Sequence, residues 1–365
     1  MSARTDERIR VVGAAPQAEK TRAPKLDRAD TAEAPQPATA RDWFGSLSPY
    51  SKPDTSRSIV EIVTTIVPLA LLWWAAWATL SVGYWLTLLI AIPAAFLLVQ
   101  LFLIQHDCGH GAFFHSRAGN DWTGRVLGVF TLTPYDVWRR SHSIHHASSG
   151  NLDRRGVGDL NTLTVAEYNA LPYWLRLKYQ LYRHPIVMFG IGPAYLFLLQ
   201  HRLPVGMLTK GWQPWISAMA TNAGIALFSA LMISVVGWQA FFMVHIPIVA
   251  FSASIGVWLF YIQHQFEDTF WAEHPEWTHQ EAALYGSSHY DLPQPLRWVT
   301  ANIGVHHVHH LFSRIPFYRL PQVLRDHPEL ATIRRVTLME SFAAVRLKLW
   351  DEQQRRLVSF REARA

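Results

Sequence analysis

Two long apolar windows limit what this chain of 365 residues can fold into. They cover about residues 59–105 and 216–263, and neither contains a lysine or an arginine. A helix needs about 20 apolar residues to cross a bilayer, so each window is long enough for two crossings. Polar breaks at residues 81–83 and 237–239 divide each window into two. The predicted spanning helices are residues 59–80, 84–105, 216–236 and 240–263.

The distribution of basic residues orients these helices. The 33 Lys and Arg residues fall as 10 before residue 58, 11 within residues 106–215 and 12 after residue 263. Loops rich in Lys and Arg stay on the cytoplasmic side, so both termini and the middle segment are expected there. The sequence therefore predicts an all-α integral membrane protein with four transmembrane helices in two hairpins and a cytoplasmic, histidine-rich helical cap. Contact with anionic lipid, rather than with nucleic acid, explains the net charge of +6.

The remaining segments differ from this membrane part in composition. Residues 1–45 are rich in Ala, Pro and charged residues without apolar periodicity, which predicts a disordered cytoplasmic tail with no secretory signal. Residues 46–330 form the predicted membrane domain, and residues 331–365 are expected to form amphipathic helices. The apolar stretch 186–199 is short for a crossing and contains two glycines and a proline. We interpret it as an interfacial or re-entrant segment.

Three histidine clusters lie on the predicted cytoplasmic side. Residues three or four apart on a helix share a face, so each cluster can present a converging set of imidazoles. The clusters are His106-Asp-Cys-Gly-His110, His142-Ser-Ile-His145-His146 and His306-His-Val-His309-His310.

The size of this set indicates the kind of metal site. Four ligands normally satisfy zinc, and calcium and magnesium prefer oxygen, so eight imidazoles favour two transition-metal ions. Two irons with positions open to oxygen fit best. Cys108 lies two residues from both His106 and His110, so we interpret it as a small buried side chain rather than a ligand. His307 is rotated by about 100° from His306 and is expected behind the ligands or facing solvent.

The three clusters resemble the histidine boxes of the integral-membrane fatty acid desaturases, H-x-x-x-H, H-x-x-H-H and H-x-x-H-H. The third box, within residues 302–316, is similar to that of the bacterial acyl-lipid branch, and the resemblance covers about residues 59–325. It implies a di-iron centre, O2 as co-substrate, dehydrogenation of an acyl chain and a place in a bacterial inner membrane. Carried over by position, the iron ligands are His106, His110, His142, His145, His146, His306, His309 and His310.

The resemblance also implies a ninth histidine ligand between the fourth spanning helix and the third box. His264 stands at that helix end, and His289 is its rival. Carboxylates commonly hold the second nitrogen of a metal-bound imidazole. Acids near the boxes include Asp136, Asp153, Asp159 and Asp291. For this supporting role we predict Asp107, Glu267 and Asp268, and Asn302 as a contact to a metal-bound water or as a helix cap.

The implied chemistry needs no catalytic residue apart from the metal ligands. An unactivated methylene has neither an acidic proton nor a leaving group, so we expect iron and O2 to introduce a cis double bond into a lipid-linked or thioester acyl chain. The sequence has no motif for a fused cytochrome b5, a flavin or a nicotinamide cofactor. A separate donor such as ferredoxin or cytochrome b5 is therefore expected.

Four other functions remain open at this stage. A hydroxylase or ketolase of the same metal architecture would act on lipid, alkane or carotenoid. A bis-histidine haem carrier would need histidines at two depths in the membrane, and a metal transporter would need polar ligands in mid-membrane. A structural lipid-binding protein would not need the clusters at all.

Overall fold

The computed structural model describes residues 40–364. The predicted disordered tail lies outside this range except at its end, where the prediction is wrong because residue 40 begins a helix. From Ala40 onward the chain forms one compact, mostly helical unit. The helices are α1 (Ala40–Leu47), α2 (Thr55–Ala78), α3 (Tyr84–Gly109), α4 (Arg117–Phe130), α5 (Tyr135–Ser148), α6 (Val165–Ala170), α7 (Tyr173–Tyr182), α8 (Gly192–Leu198), α9 (Trp212–Val236), α10 (Trp238–His264), α11 (His279–Tyr285), α12 (Gln294–Val299), α13 (His306–Leu311), α14 (Leu320–Asp326) and α15 (Leu338–Ala344).

Four of the described helices, α2, α3, α9 and α10, are long and apolar enough to cross a membrane, which confirms the number predicted. The shortest, α2, has 24 residues. At about 1.5 Å per residue it spans roughly 36 Å, more than the ~30 Å hydrocarbon core of a bilayer. α2 begins earlier than predicted because Asp54 caps it, its Oδ1 accepting the backbone N–H of Arg57 at 3.1 Å.

α3 is the central helix of these four, packing against α2, α10 and α4. Ala91, Ala94 and Ala95 are fully buried and allow neighbouring backbones to approach closely. Near the turn into α3, the Thr87 hydroxyl donates to the Ala76 carbonyl of α2 at 3.1 Å. α3 also continues beyond its predicted end and so includes the start of the first histidine cluster.

The apolar stretch 186–199 is helical but short. Its first part, Val187–Ile191, is a π-helix that leads into α8. It is not among the helices of the described region that are long enough to span a membrane. The interfacial or re-entrant placement stays a prediction.

The C-terminal segment contradicts the predicted amphipathic helices. It contains one seven-residue helix, α15, and three of the four strands, and it packs into the same unit as the helices. The backbone N–H groups of Gln353 and Gln354 both donate to Asp351 Oδ1 at 2.9 Å, and this turn reverses the chain between two strands. The strands are β1 (His289–Asp291) parallel to β2 (Arg335–Thr337), and β3 (Leu349–Asp351) antiparallel to β4 (Arg356–Val358).

A glycine sets the distance between α4 and α5. A Cβ on Gly124 would lie 2.2 Å from the Tyr135 ring, so any side chain there would displace the ring. Tyr135 is buried, and its hydroxyl donates to the Cys108 carbonyl at 2.9 Å. The missing side chain therefore lets α5 lie across the end of α3.

We expect Gly124→Ala to destabilise the protein by about 1–3 kcal/mol, because overpacking forces the Tyr135 ring to move. Gly256→Ala is the matched control, since a Cβ there meets no atom within 4 Å. Thermal unfolding of the detergent-solubilised variants measures the difference. Equal stability of the two variants would contradict this account of the packing.

Candidate metal centre

The first histidine cluster stands where α3 ends. His106 is in the last turn, and the backbone N–H of His110 donates to the His106 carbonyl at 3.2 Å. Gly111 follows with φ of +66°, a left-handed conformation in which glycine commonly ends a helix. The two imidazole centroids lie 4.7 Å apart, as expected for residues four apart on a helix.

The second cluster lies on α5, which is fixed against the first. Trp138 stacks on His142, with centroids 4.6 Å apart and an interplanar angle of 17°. The same indole lies against Gly109, where an added Cβ would be 2.8 Å from it. Together with the Tyr135 hydrogen bond to Cys108, this contact holds α5 at the end of α3.

The third cluster lies on α13, which has six residues and depends on tertiary contacts for its helical structure. The His306 N–H donates to the Ser288 carbonyl at 3.2 Å, and the Tyr290 N–H donates to the Gly304 carbonyl at 2.7 Å. A Cβ on Gly304 would lie 2.3 Å from the Tyr290 carbonyl oxygen. The segment around β1 therefore positions the start of α13.

These elements bring nine histidines into two groups, and in each group the potential ligand atoms lie within 4.8 Å of one another. The nine are the eight box histidines together with His264. We call them group A and group B. Group A consists of His106, His110, His142, His146 and His309, and group B consists of His145, His264, His306 and His310.

The nitrogen spacing fits metal coordination. In group A, the Nε2 atom of His142 lies 3.1 Å from those of both His110 and His146. In group B, the Nε2 atoms of His264 and His306 are also 3.1 Å apart. A metal–nitrogen bond of about 2.1 Å and a right angle at the metal would separate adjacent nitrogens by about 3.0 Å.

The protonation state of the rings also fits metal coordination. For six of the nine histidines, all outside the spanning segments, burial lowers the pKa well below the ordinary 6.5, and the neighbouring histidines lower it further. The rings are therefore neutral at pH 7, which is the form that binds metals. Neither group contains a carboxylate among the described residues, which disfavours calcium and magnesium. The residues to which this pKa shift applies are His110, His142, His146, His306, His309 and His310.

The second ring nitrogen of several histidines has a partner that fixes the ring. His145 Nδ1 forms a short hydrogen bond with Asp159, and His264 Nδ1 lies 3.1 Å from the Gly286 carbonyl oxygen, to which it donates. These bonds place the proton on Nδ1 and leave the Nε2 lone pair facing the group. His106 Nδ1 lies 3.2 Å from an oxygen of Asp107.

The predicted supporting residues have different outcomes. Asp107 contacts His106 and accepts the backbone N–H of Phe317 at 2.7 Å, which joins the first box to the chain after the third. Glu267 and Asp268 are exposed, pair with Arg356 and Arg334, and contact no histidine of either group, so the structure contradicts these two predictions.

Asn302 occupies a turn rather than a helix before the third box. Its φ is +52°, and its carbonyl accepts the Val305 N–H at 3.0 Å. The helix begins at His306, and its N-terminus has no side-chain cap, so the capping role is wrong. The sequence places Asp159 only among several acids near the boxes, because a loop contact to His145 is not readable from spacing.

The other histidines near the third box serve the packing. His289 Nδ1 donates to the Ala331 carbonyl at 2.7 Å, and His307 Nε2 donates to the Leu330 carbonyl at 2.8 Å. Burial lowers the pKa of His307 to about 3, so its ring is neutral and does not face solvent. Cys108 is buried and belongs to neither group, as expected.

Four helices apolar enough to span a bilayer, together with two groups of buried and partly buried histidines, define the class: a helical membrane protein with a candidate two-metal centre. A sequence model of the family described as "Fatty acid desaturase" matches residues 83–341, which include all three boxes. The chain belongs to the fatty acid desaturase family and is an oxidoreductase, as the resemblance of the boxes implied.

Named relatives agree with this assignment. The chain is 42% identical over 315 residues to a fatty acid desaturase of Bacillus subtilis (strain 168), covering 86% of this chain and 89% of that protein. It is 29% identical to an sn-1 acyl-lipid omega-3 desaturase (ferredoxin) of Synechocystis, covering 60% of this chain and 61% of the relative. An Arabidopsis thaliana acyl-lipid omega-3 desaturase (cytochrome b5) of the endoplasmic reticulum is 26% identical, covering 68% of this chain and 53% of the relative.

Proposed function

We propose that the protein is a membrane-bound di-iron acyl-lipid desaturase that introduces a cis double bond into an acyl chain. The observation that carries the proposal is the convergence of nine histidines in two groups. One –CH2–CH2– unit, one O2, two electrons and two protons give one –CH=CH– unit and two waters. The two external electrons come from a separate donor.

Iron is the metal that we assign to both groups. Zinc is normally satisfied by four ligands and has no redox chemistry, whereas desaturation is an oxidation. Two irons held there would supply the O2-dependent oxidising power that an unactivated methylene requires. The protein's own contribution is to keep the Nε2 lone pairs pointed inward. Asp159 and the Gly286 carbonyl do so for His145 and His264.

The location of the groups suits a lipid-borne substrate. His106 and His264 stand in the last turns of α3 and α10, two apolar helices that pack together. An acyl chain lying along these helices would approach both groups from the bilayer. By the positive-inside rule this end is cytoplasmic, and a bacterial inner membrane is the proposed location.

A cleft of about 560 Å³ makes the centre accessible from the protein surface. Its lining includes His146 of group A and His310 of group B, together with Phe44, Phe312 and Arg314. An external electron donor could therefore approach both groups through one opening. Ferredoxin and cytochrome b5 are the donor classes that the names of the relatives suggest.

We propose that the desaturase domain begins with α1 at residue 40, rather than at residue 46, and that residues 1–39 are a cytoplasmic tail. Residues 331–364 pack against the domain through strands and α15, and they share one compact unit with it. Thr164 and Trp350 form a β-bridge that ties this segment to the loop before α6.

Expression in a host with saturated lipids tests the reaction. Gas chromatography of fatty acid methyl esters should show a new cis-unsaturated acid with the wild type and none with His309→Ala, which removes a proposed ligand. A hydroxy or keto product without a new double bond would support the hydroxylase or ketolase alternative instead. An undiminished product from His309→Ala would contradict the proposed centre.

The ninth ligand can be tested by metal content. The wild type should retain about two irons per chain and show no Soret band, and His264→Ala should lose the iron of group B. His289→Ala is the control, because its ring donates to a backbone carbonyl and lies outside both groups. Loss of iron from His289→Ala with retention in His264→Ala would reverse the assignment.

The partner of His145 gives a further prediction. Asp159→Asn should weaken iron binding in group B by about 10- to 100-fold, because a neutral amide holds the imidazole N–H less firmly than a carboxylate does. Glu267→Gln is the matched control, since Glu267 pairs with Arg356 at the surface. Competition with a chelator measures the affinity, and equal effects of the two substitutions would contradict the role of Asp159.

A further inference from the structure

Arg183, directly after α7, is a buried cation without a carboxylate partner. Its side chain is fully buried, and it forms no ion pair with any described residue. Its guanidinium lies over the Tyr261 ring at 5.6 Å. Lys348 is a second basic side chain here, with its Nζ donating to the Arg183 carbonyl at 2.8 Å. Burial and the charge of Arg183 lower the pKa of Lys348 to about 7.

Burial of a charge without a counter-ion costs several kcal/mol. Nothing in the cluster offsets this cost by opposite charge, because every acceptor of the guanidinium is neutral. Arg183 Nε has no partner among the described residues. A neutral side chain would avoid most of this cost. An arginine at this position therefore implies an interaction that a neutral side chain could not make.

That interaction is the joining of three separate segments by the guanidinium. One terminal nitrogen of Arg183 donates to the Asn161 carbonyl and to Thr162 Oγ1, both at 3.4 Å. The other donates to Gln265 Oε1 at 2.7 Å and to the Leu347 carbonyl at 3.2 Å. The acceptors belong to the loop after α5, the residue after α10 and the turn before β3. Only arginine offers five donors in a rigid planar fork that can reach three separate segments.

Two of these segments lie next to residues that form or support group B. Gln265 directly follows His264, and its Nε2 donates to Thr162 Oγ1 at 3.1 Å. Thr162 lies three residues after Asp159, which holds the His145 ring. The fork of Arg183 therefore contacts the chain beside one group B ligand and the loop that orients a second.

We propose that Arg183 is a positioning residue for group B, acting through Gln265 on His264 and through the loop at residues 161–162 on Asp159 and His145. This inference rests on the proposed two-metal function. Group A has no such connection, because the hydrogen bonds of the guanidinium reach none of the segments that carry its ligands. Loss of Arg183 should therefore weaken the binding of one metal ion and leave the binding of the other unchanged.

Cobalt(II) titration of the metal-free full-length protein, followed by visible absorption, tests this selectivity. The wild type should bind two cobalt ions per chain. In Arg183→Met, one ion should bind as in the wild type and the other about 10- to 100-fold more weakly, as when a supporting partner of a metal ligand is lost. Lys348→Met is the control, since its ammonium donates to the Arg183 carbonyl and to no other residue within 40–364, and this variant should bind both ions normally.

A second substitution identifies the group that is affected. In the Arg183→Met background, His309→Ala should weaken the remaining tight site, whereas His264→Ala should leave that site unchanged. Gln265→Ala breaks the link at the ligand segment while Arg183 keeps its other acceptors, and it should give the same selective loss. It decides the question if Arg183→Met does not fold.

Equal weakening of both sites in Gln265→Ala or Arg183→Met, or unchanged binding in both variants, would overturn the positioning role. Weak binding in Lys348→Met would do so too, because the effect would then follow from packing of the cation cluster. A wild type that binds fewer than two cobalt ions would instead count against the two-metal centre itself. The two failures are therefore distinguishable.

Discussion

The convergence of nine imidazole rings is the constraint on which the rest of this structure depends. Their Nε2 atoms approach to 3.1–3.2 Å within each group, and several of the rings are buried. Without a cation, neutral lone pairs at this spacing do not attract one another, so other contacts must hold the rings. Trp138 stacked on His142 provides one such contact, and the hydrogen bond of Asp159 to His145 provides another.

The supporting contacts come from many parts of the chain, which explains the close packing around the ends of α3 and α10. Gly124 and Gly304 are positions where a Cβ would collide with a neighbour, and each lies beside an element that carries a box. The guanidinium of Arg183 is buried in the same region, and its hydrogen bonds join segments next to His264 and Asp159. The buried charge lowers the local stability of the fold, while the contacts around it keep the segments of the centre in place.

The features that follow local periodicity were predictable from the sequence. The apolar windows gave the number of long helices, and the spacing of the boxes gave the shared helix faces of His106 and His110. The division into groups was not readable, because His309 and His310 are adjacent in sequence yet belong to different groups. Their direction depends on how α13 docks on β1, which is a tertiary property. Family resemblance, rather than spacing, pointed to His264.

Loop and terminal features were the least predictable. Glu267 and Asp268 are close to His264 in sequence, but the chain turns away after α10 and exposes both. Asp159 comes from a loop 14 residues after His145, and no periodicity relates them. The strands near the C-terminus depend on pairings with distant segments, such as the bridge between Thr164 and Trp350. Propensity alone favours helices in such a mixed segment.

An experimental structure of the iron-loaded protein, with anomalous scattering recorded at the iron edge, tests the central claim most directly. The account predicts two iron peaks, one enclosed by His106, His110, His142, His146 and His309, and the other by His145, His264, His306 and His310. A single peak shared by both groups would contradict it, and so would a peak coordinated by His289 in place of His264.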